Sequence, residues 1–240
     1  MKINVIFLLR DKKDDFFTGK NVVIIDILRA TSTMVTALSN GANGIFPVSS
    51  VEEAVKISKN LERTTYLLCG ERNTKVIEGF DLGNSPLEYT EKVVSGKKII
   101  LTTTNGTKVF DEVKHSKNVL IVSSLNVSVV AKKMIEIADE WYLICSGRNG
   151  CYDESDALCA GLLIYKIIQN NVKVELNDAG RTALVVYKST KANFNSALKK
   201  TEHGKILIAN GFEMDIDFIS NIDSLELLAI YLNNTVSVLQ

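Results

Sequence analysis

The sequence is poor in the residues that build the best-known hydrolytic sites. Its 240 residues include only two histidines, two prolines, four cysteines and one tryptophan. A zinc site built on histidines, or a Ser-His-Asp triad, therefore lacks most of its parts. His115 and His203 lie in polar stretches beside lysine or glycine, and we expect each to be a solvated surface residue.

The four cysteines form no C-x-x-C pair, so their spacing gives no sign of a cysteine-based metal site. Cys69 and Cys145 fall in apolar runs, where a thiol packs as a small hydrophobic side chain. The first apolar run of the chain has seven residues, which is too short for the core of a signal peptide. We predict a reduced, cytoplasmic protein.

An excess of charge of one sign is also missing. Because 28 basic residues balance 28 acidic residues, no net field draws the chain toward nucleic acid or an acidic membrane surface. No apolar run approaches the roughly 20 residues that a membrane span requires. We expect a small-molecule partner, with no nucleic acid and no membrane, and the sequence leaves homo-oligomer formation open.

The chain does contain apolar runs that alternate with amphipathic segments. Runs rich in Val, Ile and Leu predict strands at 3–9, 22–28, 44–48, 65–70, 98–103, 118–124 and 141–147. Because these runs are not interrupted by polar residues at every second position, they indicate strands buried on both faces. Helical patterns lie at 31–42, 51–62, 126–139 and 154–170. The alternation predicts a three-layer α/β/α fold with a largely parallel or mixed sheet.

No Ser/Gly-rich linker or low-complexity segment divides the chain, so we expect residues 1–240 to form one compact domain. The less regular stretch 205–234 is expected to add a strand and a helix at one edge. Four predicted strands end in short polar loops that lead into helices. If the strands are parallel, these loops meet beyond their carboxyl ends, which is where open α/β sheets bind ligands.

One of these loops, residues 103–107, is a candidate phosphate seat. The N–H groups at the start of a helix attract anions, and small hydroxyl residues such as Thr104 and Thr107 add donors. Gly106 would let the backbone approach a ligand closely. The same residues, with Asn105, are ordinary helix caps and turn formers, so capping alone is the alternative.

A second loop follows the apolar run that contains Asp26. A lone carboxylate in such a run is costly to bury unless it is paired or bound to a cation. Arg29 follows three residues later, and Thr31 and Ser32 come next, which gives an anion-binding guanidinium and two hydroxyls. Asp26 is therefore a candidate functional carboxylate, and a structural bond to Arg29 or to the backbone is the alternative.

Arginines are rare in this chain and several stand at strand ends. Arg29, Arg72 and Arg148 each follow a predicted strand, whereas lysine supplies most other cations. The planar guanidinium suits a substrate with several anionic groups. The segment around Arg72 also supplies polar candidates, namely Glu71, Asp81, Asn84 and Ser85.

The last polar loop, 147–156, leads into a helix rich in acids. The helix dipole favours acids in the first turn, so Asp153 and Glu154 are predicted to be caps. Asp156 lies further into the helix and is the better ligand candidate. Oxygen ligands without histidine indicate Mg²⁺, which supports phosphoryl chemistry by neutralising charge.

Other phosphate-handling motifs are missing from the sequence. It contains neither G-x-x-x-x-G-K-[ST] nor G-x-G-x-x-G, which argues against a P-loop and a dinucleotide site. No cysteine is followed six residues later by arginine, so the usual cysteine-phosphatase loop is excluded. A haloacid-dehalogenase-like phosphatase would carry a second aspartate two positions after Asp26, where this chain has Leu28.

Four motifs taken together resemble the 2-phosphosulfolactate phosphatase family, which is associated with coenzyme M biosynthesis. They are DILRATSTMVTALSNGA, CGERN with GFDLGNSP, TTTNGT and SDALCAG, and the resemblance runs in order from about residue 22 to about residue 187. It implies a Mg²⁺-dependent, acid-type phosphatase on an α/β/α fold of its own type. The substrate would be a phosphorylated sulfolactate or another phosphorylated hydroxy acid.

The resemblance also implies a set of site residues. The matching acids are Asp26, Glu71, Asp81 and Asp156, the basic residues Arg29 and Arg72, and the small polar residues Thr31, Ser32, Asn84, Ser85, Thr104, Asn105, Gly106 and Thr107. All four acids are candidate Mg²⁺ ligands. Asp26, Asp81, Asp156 and Arg29 are the candidate catalytic residues. The 145–152 loop departs from the family pattern because it is more basic, through Arg148.

We therefore predict a Mg²⁺-dependent phosphatase that acts on a small anionic hydroxy-acid ester, with 2-phosphosulfolactate as the leading substrate. Two alternatives stay open. One is a non-catalytic phosphate- or sulfonate-binding regulatory protein, which would need the hydroxyls and arginines but no metal-binding acids. The other is a haloacid-dehalogenase-like phosphatase with Asp26 as the nucleophile.

Overall fold

The computed structural model describes residues 1–9, 15–137 and 140–239. Within these residues the strands are β1 (Lys2–Ile6), β2 (Asn21–Ile25), β3 (Ile45–Pro47), β4 (Tyr66–Arg72), β5 (Lys75–Val76), β6 (Lys98–Thr102), β7 (Asn118–Val122), β8 (Glu140–Cys145), β9 (Glu175–Leu176), β10 (Ala229–Leu232) and β11 (Thr235–Val238). All seven strands predicted from apolar runs are present.

The helices complete the α/β architecture. They are α1 (Ala30–Ser39), α2 (Val51–Ser58), α3 (Glu91–Val94), α4 (Val109–Val113), α5 (Val127–Ile137), α6 (Glu154–Gln169), α7 (Asp178–Thr190), α8 (Phe194–Lys200), α9 (Glu202–Ala209) and α10 (Glu213–Ile219). The four predicted helical segments correspond to α1, α2, α5 and α6. Residues 138 and 139, at the end of the third segment, lie outside the described residues.

The strands of the described residues form one mixed sheet in the order β5-β4-β6-β3-β11-β10-β7-β2-β8-β1-β9. One block, β4, β6 and β3, is parallel, and a second block, β7, β2, β8, β1 and β9, is also parallel. The hairpin β10–β11 joins the two blocks through antiparallel pairings on both sides. The prediction of a mixed sheet is confirmed.

Alternate residues of β2 show the three layers. Val22 and Ile24 belong to one apolar cluster, which includes α1 and α4, while Val23 and Ile25 belong to another, which includes α5, α6 and α7. Successive side chains of a strand point to opposite faces, so helices cover both faces of the sheet. A continuous apolar run is therefore the expected sequence for this strand.

The route by which the polar loops meet differs from the prediction. Three antiparallel pairings separate β7 from β3, so the two parallel blocks run in opposite directions. Loops that follow strands of both blocks nevertheless line one cavity. Leu101 of β6 and Ile24 of β2 belong to the same apolar cluster as α1, so side chains of both blocks share one part of the core.

The C-terminal strands also differ from the prediction. The stretch 205–234 was expected to add a strand and a helix at one edge of the sheet, but β10 and β11 lie in its middle. Short segments with mixed polar and apolar residues give no sequence signal for a central position.

Across the described part of the chain, every helix falls short of the length and apolar character that crossing a membrane demands.

Candidate active site

Loops from both blocks of the sheet and one face of α9 enclose a cavity of about 320 Å³. Its lining consists of Asp26, Leu28, Arg29, Glu71, Asn73, Thr74, Asn84, Thr103, Thr104, Asn105, Arg148, Asn149, His203, Ile206, Leu207 and Asn210. Eight of the residues predicted from the sequence are among them: Asp26, Arg29, Glu71, Asn84, Thr103, Thr104, Asn105 and Arg148. The size suits a small ligand, because cavities for drug-sized molecules begin at about 300 Å³.

Asp26 lies directly after β2 and is 8% exposed. One carboxylate oxygen accepts a hydrogen bond of 3.2 Å from the N–H of Ala30, at the start of α1. Burial raises the pKa of Asp26 to about 6, and the charges of Asp153 and Glu71 act in the same direction. The nearby His203 and the Ala30 N–H lower it in part. Asp26 is therefore a buried acid whose charged form is costly without a cation.

Glu71, at the end of β4, organises two walls of the cavity. One carboxylate oxygen accepts from the N–H of Thr104 at 2.8 Å and the other from the N–H of Thr74 at 2.9 Å. Thr74 and Asn73 form the two-residue turn between β4 and β5, and both have positive φ. This conformation is typical of a tight hairpin but unusual for threonine. Glu71 therefore fixes the turn and the 103–107 loop together.

The 103–107 loop is held by its own residues. Thr103 and Thr107 each donate a backbone N–H to the other's hydroxyl at 3.2 Å. Asn105 accepts from the N–H of Asn149 at 3.0 Å, which ties this loop to the loop after β8. The hydroxyl of Thr104 is buried and has no hydrogen-bond partner among the described residues.

Gly106 is required for the approach of this loop to Asp26. A Cβ at position 106 would lie 2.3 Å from the carboxylate of Asp26 and 2.7 Å from the Cβ of Ala30. The helix after the loop, α4, begins only at Val109 and has five residues. A helix this short supplies little dipole. The loop before it supplies Thr103, Thr104 and Asn105 to the cavity lining.

Arg29 is fixed by a buried ion pair that the sequence did not predict. Its guanidinium donates to Asp215 of α10 at 2.6 Å, and both side chains are at most 3% exposed. The hydroxyl of Ser85 donates to the other oxygen of Asp215 at 2.6 Å, and the ring of Phe212 lies 4.1 Å from the guanidinium carbon. Arg29 therefore reaches the cavity with one side already neutralised and its orientation set.

His203 corrects a prediction made from the sequence. Instead of lying on the surface, it lines the cavity with 15% of its side chain exposed, and its Nδ1 lies 2.8 Å from the carboxylate of Asp153. Asp153 also accepts from the N–H of Ser155 at 2.9 Å and caps α6, as predicted. The missed signal is the spacing of His203, Ile206 and Asn210, which places them on one helix face.

The remaining predicted site residues stabilise the loops around the cavity without lining it. The hydroxyl of Thr31 donates to the carbonyl of Asp26 and that of Ser32 to the carbonyl of Ile27. Asp156 accepts from the N–H groups of Ile27 at 3.0 Å and Gly147 at 3.1 Å. Burial raises the pKa of Asp156 well above its ordinary value, and the charges of Asp153 and Asp26 add to this effect. Asp156 thus connects the loops that follow β2 and β8.

Two further predicted residues, Asp81 and Arg72, lie outside the cavity lining. Asp81 pairs with Arg63 and accepts from the N–H of Leu68 at 2.8 Å. Arg72 donates to the hydroxyl of Thr102 at 3.0 Å, across the β4–β6 pairing. The structure therefore places Asp81 and Arg72 outside the lining that contains Asp26.

The cavity offers oxygen donors of the kind that Mg²⁺ prefers. The carboxylates of Asp26 and Glu71 both line it, and the buried Asn84 Oδ1 and Thr104 Oγ1 lack partners among the described residues. Within residues 1–9, 15–137 and 140–239, no group of three or more His, Cys, Asp or Glu residues is arranged to hold a metal. Mg²⁺ commonly uses only one or two carboxylates and keeps several waters, so the donor set fits this ion.

Comparison with known proteins agrees with the motif resemblance. Residues 8–234 match the model of the family described as 2-phosphosulpholactate phosphatase. A probable 2-phosphosulfolactate phosphatase of Clostridium novyi is 42% identical over 228 residues, which cover 95% of this chain and 96% of that protein. Proteins of the same name from Caldanaerobacter subterraneus and Thermotoga petrophila are also 42% identical, over 87% and 85% of this chain and 86% of each protein. The chain therefore belongs to the 2-phosphosulpholactate phosphatase family.

Proposed function

We propose that this protein is a Mg²⁺-dependent phosphoric monoester hydrolase that converts 2-phosphosulfolactate to sulfolactate and phosphate. The observation that carries the proposal is the gathering of Asp26, Glu71, Arg29 and Arg148 in one small cavity. The family match supports the same substrate. It gives no support to the non-catalytic alternative or to a haloacid-dehalogenase-like enzyme with Asp26 as the nucleophile.

The charges of the cavity are complementary to this substrate, which carries a phosphate, a carboxylate and a sulfonate. Arg29, Arg148 and His203 supply cationic or donor groups on the cavity wall, and Asn149 and Asn210 add polar groups. Arg148 pairs with the exposed Glu202, so it can turn toward a ligand at small cost. Leu28, Ile206 and Leu207 give an apolar surface for the short carbon chain.

Asp26 and Glu71 are the residues that would hold Mg²⁺. When bound, the ion would neutralise phosphate charge, which is the main requirement of phosphoryl transfer. Arg29, held by Asp215, would bind a phosphoryl oxygen in a fixed position. Thr104 Oγ1 lacks a hydrogen-bond partner among the described residues and could donate to one of the remaining oxygens.

The test is phosphate release from 2-phosphosulfolactate by the wild type, with Mg²⁺ and with EDTA. We expect activity with Mg²⁺ and its loss in EDTA. Asp26→Asn should lower kcat by at least about 100-fold, a typical cost of removing a catalytic or metal-binding group. The matched control is Asp111→Asn, an exposed change in α4 that should leave the rate unchanged.

Two results would contradict the proposal. Full turnover by Asp26→Asn would remove the buried carboxylate from the reaction. Absence of phosphate release by the wild type from every phosphorylated two- and three-carbon acid, with Mg²⁺ present, would leave a binding protein. Phosphate release from a carboxylate analogue, but from no phosphorylated sulfonate, would support a phosphatase and assign it a different substrate.

A further inference from the structure

We propose that His203 is the general acid of the reaction and that Asp153 is its positioning residue. His203 would protonate the oxygen that leaves phosphorus when the ester is cleaved. This inference rests on the proposed phosphatase function and adds to it a residue that the motifs of the family resemblance did not include.

The geometry of the pair fixes the tautomer of His203. A carboxylate only accepts hydrogen bonds, so the 2.8 Å contact with Asp153 places a proton on Nδ1 of the imidazole. Nε2 is then the ring nitrogen left for the cavity, and no described residue forms a hydrogen bond to it. The Asp153 side chain is 4% exposed, and its second oxygen is held by the N–H and hydroxyl of Ser155.

The Asp153 carboxylate stays ionised in this setting. Burial alone would raise its pKa, but the hydrogen bond and charge of His203 and the hydrogen bonds from Ser155 outweigh burial and hold the pKa below its ordinary value. An ionised Asp153 orients the imidazole and places a negative charge beside its ring. The arrangement is that of a carboxylate–imidazole pair with one free nitrogen.

The position of His203 places it beside the leaving group. His203, Ile206, Leu207 and Asn210 occupy one face of α9 and its C-terminal end, and this face forms one wall of the cavity. The acids Asp26 and Glu71 come from other walls, at the ends of β2 and β4. If the phosphate lies at the acids and the carbon chain packs on Ile206 and Leu207, the bridging oxygen between them faces His203.

The proposed step balances as follows. Water forms a bond to phosphorus, the bond from phosphorus to the bridging oxygen breaks, and its electron pair stays on that oxygen. His203 acts in its doubly protonated form, in which Nδ1 keeps its proton on Asp153. The proton of Nε2 moves to the same oxygen and gives the hydroxyl of the product acid. One proton of the attacking water passes to solvent, and solvent returns one to His203. An alkoxide is a poor leaving group, so general acid catalysis here is worth about 10²–10⁴-fold.

The experiment compares two substrates whose leaving groups differ in their need for a proton. One is 2-phosphosulfolactate, and the other is its analogue with sulfur in place of the bridging oxygen, which leaves as a weakly basic thiolate. For His203→Gln we expect kcat on the oxygen ester to fall about 100-fold or more, while kcat on the sulfur analogue stays within about threefold of wild type. Asp153→Asn can still cap α6. It should also lower kcat on the oxygen ester more than on the sulfur analogue, by a smaller factor than His203→Gln.

His115→Gln is the matched control, because His115 is exposed and lies outside the cavity lining. It should leave both rates unchanged, and circular dichroism would verify the fold of every variant. Equal losses on the two substrates would overturn the proposal and place His203 in binding or structure. Unchanged rates on both would overturn it as well. A wild type that cleaves neither ester would refute the proposed function itself, before any variant is compared.

Discussion

Asp26 is an acidic side chain placed where its charge is costly. It follows four fully buried residues of β2, at 22–25, and burial raises its pKa to about 6 from an ordinary value of 3.8. In the metal-free protein this shift means that ionised Asp26 opposes folding. A bound cation would remove much of this cost, so the same residue that weakens the empty protein would strengthen its affinity for Mg²⁺.

The Asp26 shift predicts a pH-dependent stability difference between wild type and Asp26→Asn. Between about pH 4 and pH 6 the folded protein keeps a proton that the unfolded chain has released, so wild-type stability falls as pH rises through this window. Asparagine carries no charge to bury and can still accept from the N–H of Ala30. The variant should therefore be more stable by about 2–3 kcal/mol above pH 7, and the difference should vanish below about pH 4.

Urea unfolding in EDTA at several pH values would measure this difference. Asp111→Asn serves as the exposed control and should follow wild type throughout. A stability difference for Asp26→Asn that is the same at pH 4 and pH 8 would show that Asp26 does not bury a charge in the folded state.

The local sequence around each residue explains which site residues could be predicted. Asp26 was predictable because a single acid in an apolar run has a direct physical cost. His203 and Asp215 stand among polar neighbours, where a histidine or an acid is ordinary, and only the packing of their helices places them at the site. Thr31 and Ser32, predicted to bind the ligand, donate their hydroxyls to the carbonyls of Asp26 and Ile27, because a buried hydroxyl can equally be satisfied by a nearby carbonyl.

Helix α10 acts on the site through one buried contact. Asp215 holds Arg29 of the loop after β2 and Ser85 of the loop before α3, so a single carboxylate joins three segments. The same helix carries Asp217, whose side chain is 39% exposed and pairs at the surface with that of Lys199, which is 24% exposed. Two aspartates of one helix can therefore be compared, since Asp215 is buried and Asp217 is solvated.

Replacing these two aspartates should separate the effects of burial and of charge. Asp215→Ala leaves the guanidinium of Arg29 buried without its partner, and we expect a loss of about 3–5 kcal/mol in the free energy of unfolding. Asp217→Ala should cost less than about 1 kcal/mol, because exposed ion pairs contribute little. Urea denaturation of both variants measures the difference. Similar costs for the two would mean that α10 is not anchored through Arg29.

The elements themselves were predictable where one sequence pattern dominates. β2, β7 and β8 are continuous apolar runs, and the structure has them at the predicted positions. Of the helices after α6 and the hairpin β10–β11, the sequence predicted only a strand and a helix within 205–234, because a short amphipathic segment carries no information on which neighbour it will pair with. Pairing direction is set by distant partners, which is why the opposite orientation of the two blocks could not be read from the sequence.

At the scale of the whole molecule, the hairpin β10–β11 joins the two parallel blocks. Val236 of β11 is fully buried and pairs with Ile45 of β3, while Ala229 of β10 pairs with Ile121 of β7. The site needs both blocks, because Glu71 comes from one and Asp26 from the other. The prediction that residues 1–240 form a single domain can therefore be tested at this hairpin. If the two blocks unfold together, a destabilising change in the hairpin must lower the unfolding temperature of both.

Val236→Ala tests this coupling. Deleting two buried methyl groups should lower the free energy of unfolding by about 2 kcal/mol, which is about 4–8 °C in Tm for a chain of this size. Val238→Ala, in the same strand but at a position that is 41% exposed, should have a much smaller effect. Trp141 is buried in β8, in the block that also contains β7 and β2, and its fluorescence reports on the unfolding of that block. Far-UV circular dichroism reports on the whole chain.

For one cooperative domain, both probes should shift by the same amount in Val236→Ala, although Trp141 lies in a strand that does not contact Val236. If the Trp141 transition stays at the wild-type temperature while the circular dichroism develops a second, earlier step, the two blocks are separate folding units. The cavity would then lose the wall that carries Glu71 before the wall that carries Asp26, and activity would be lost at the first transition. A single shared transition would instead make the integrity of the site a property of the whole sheet.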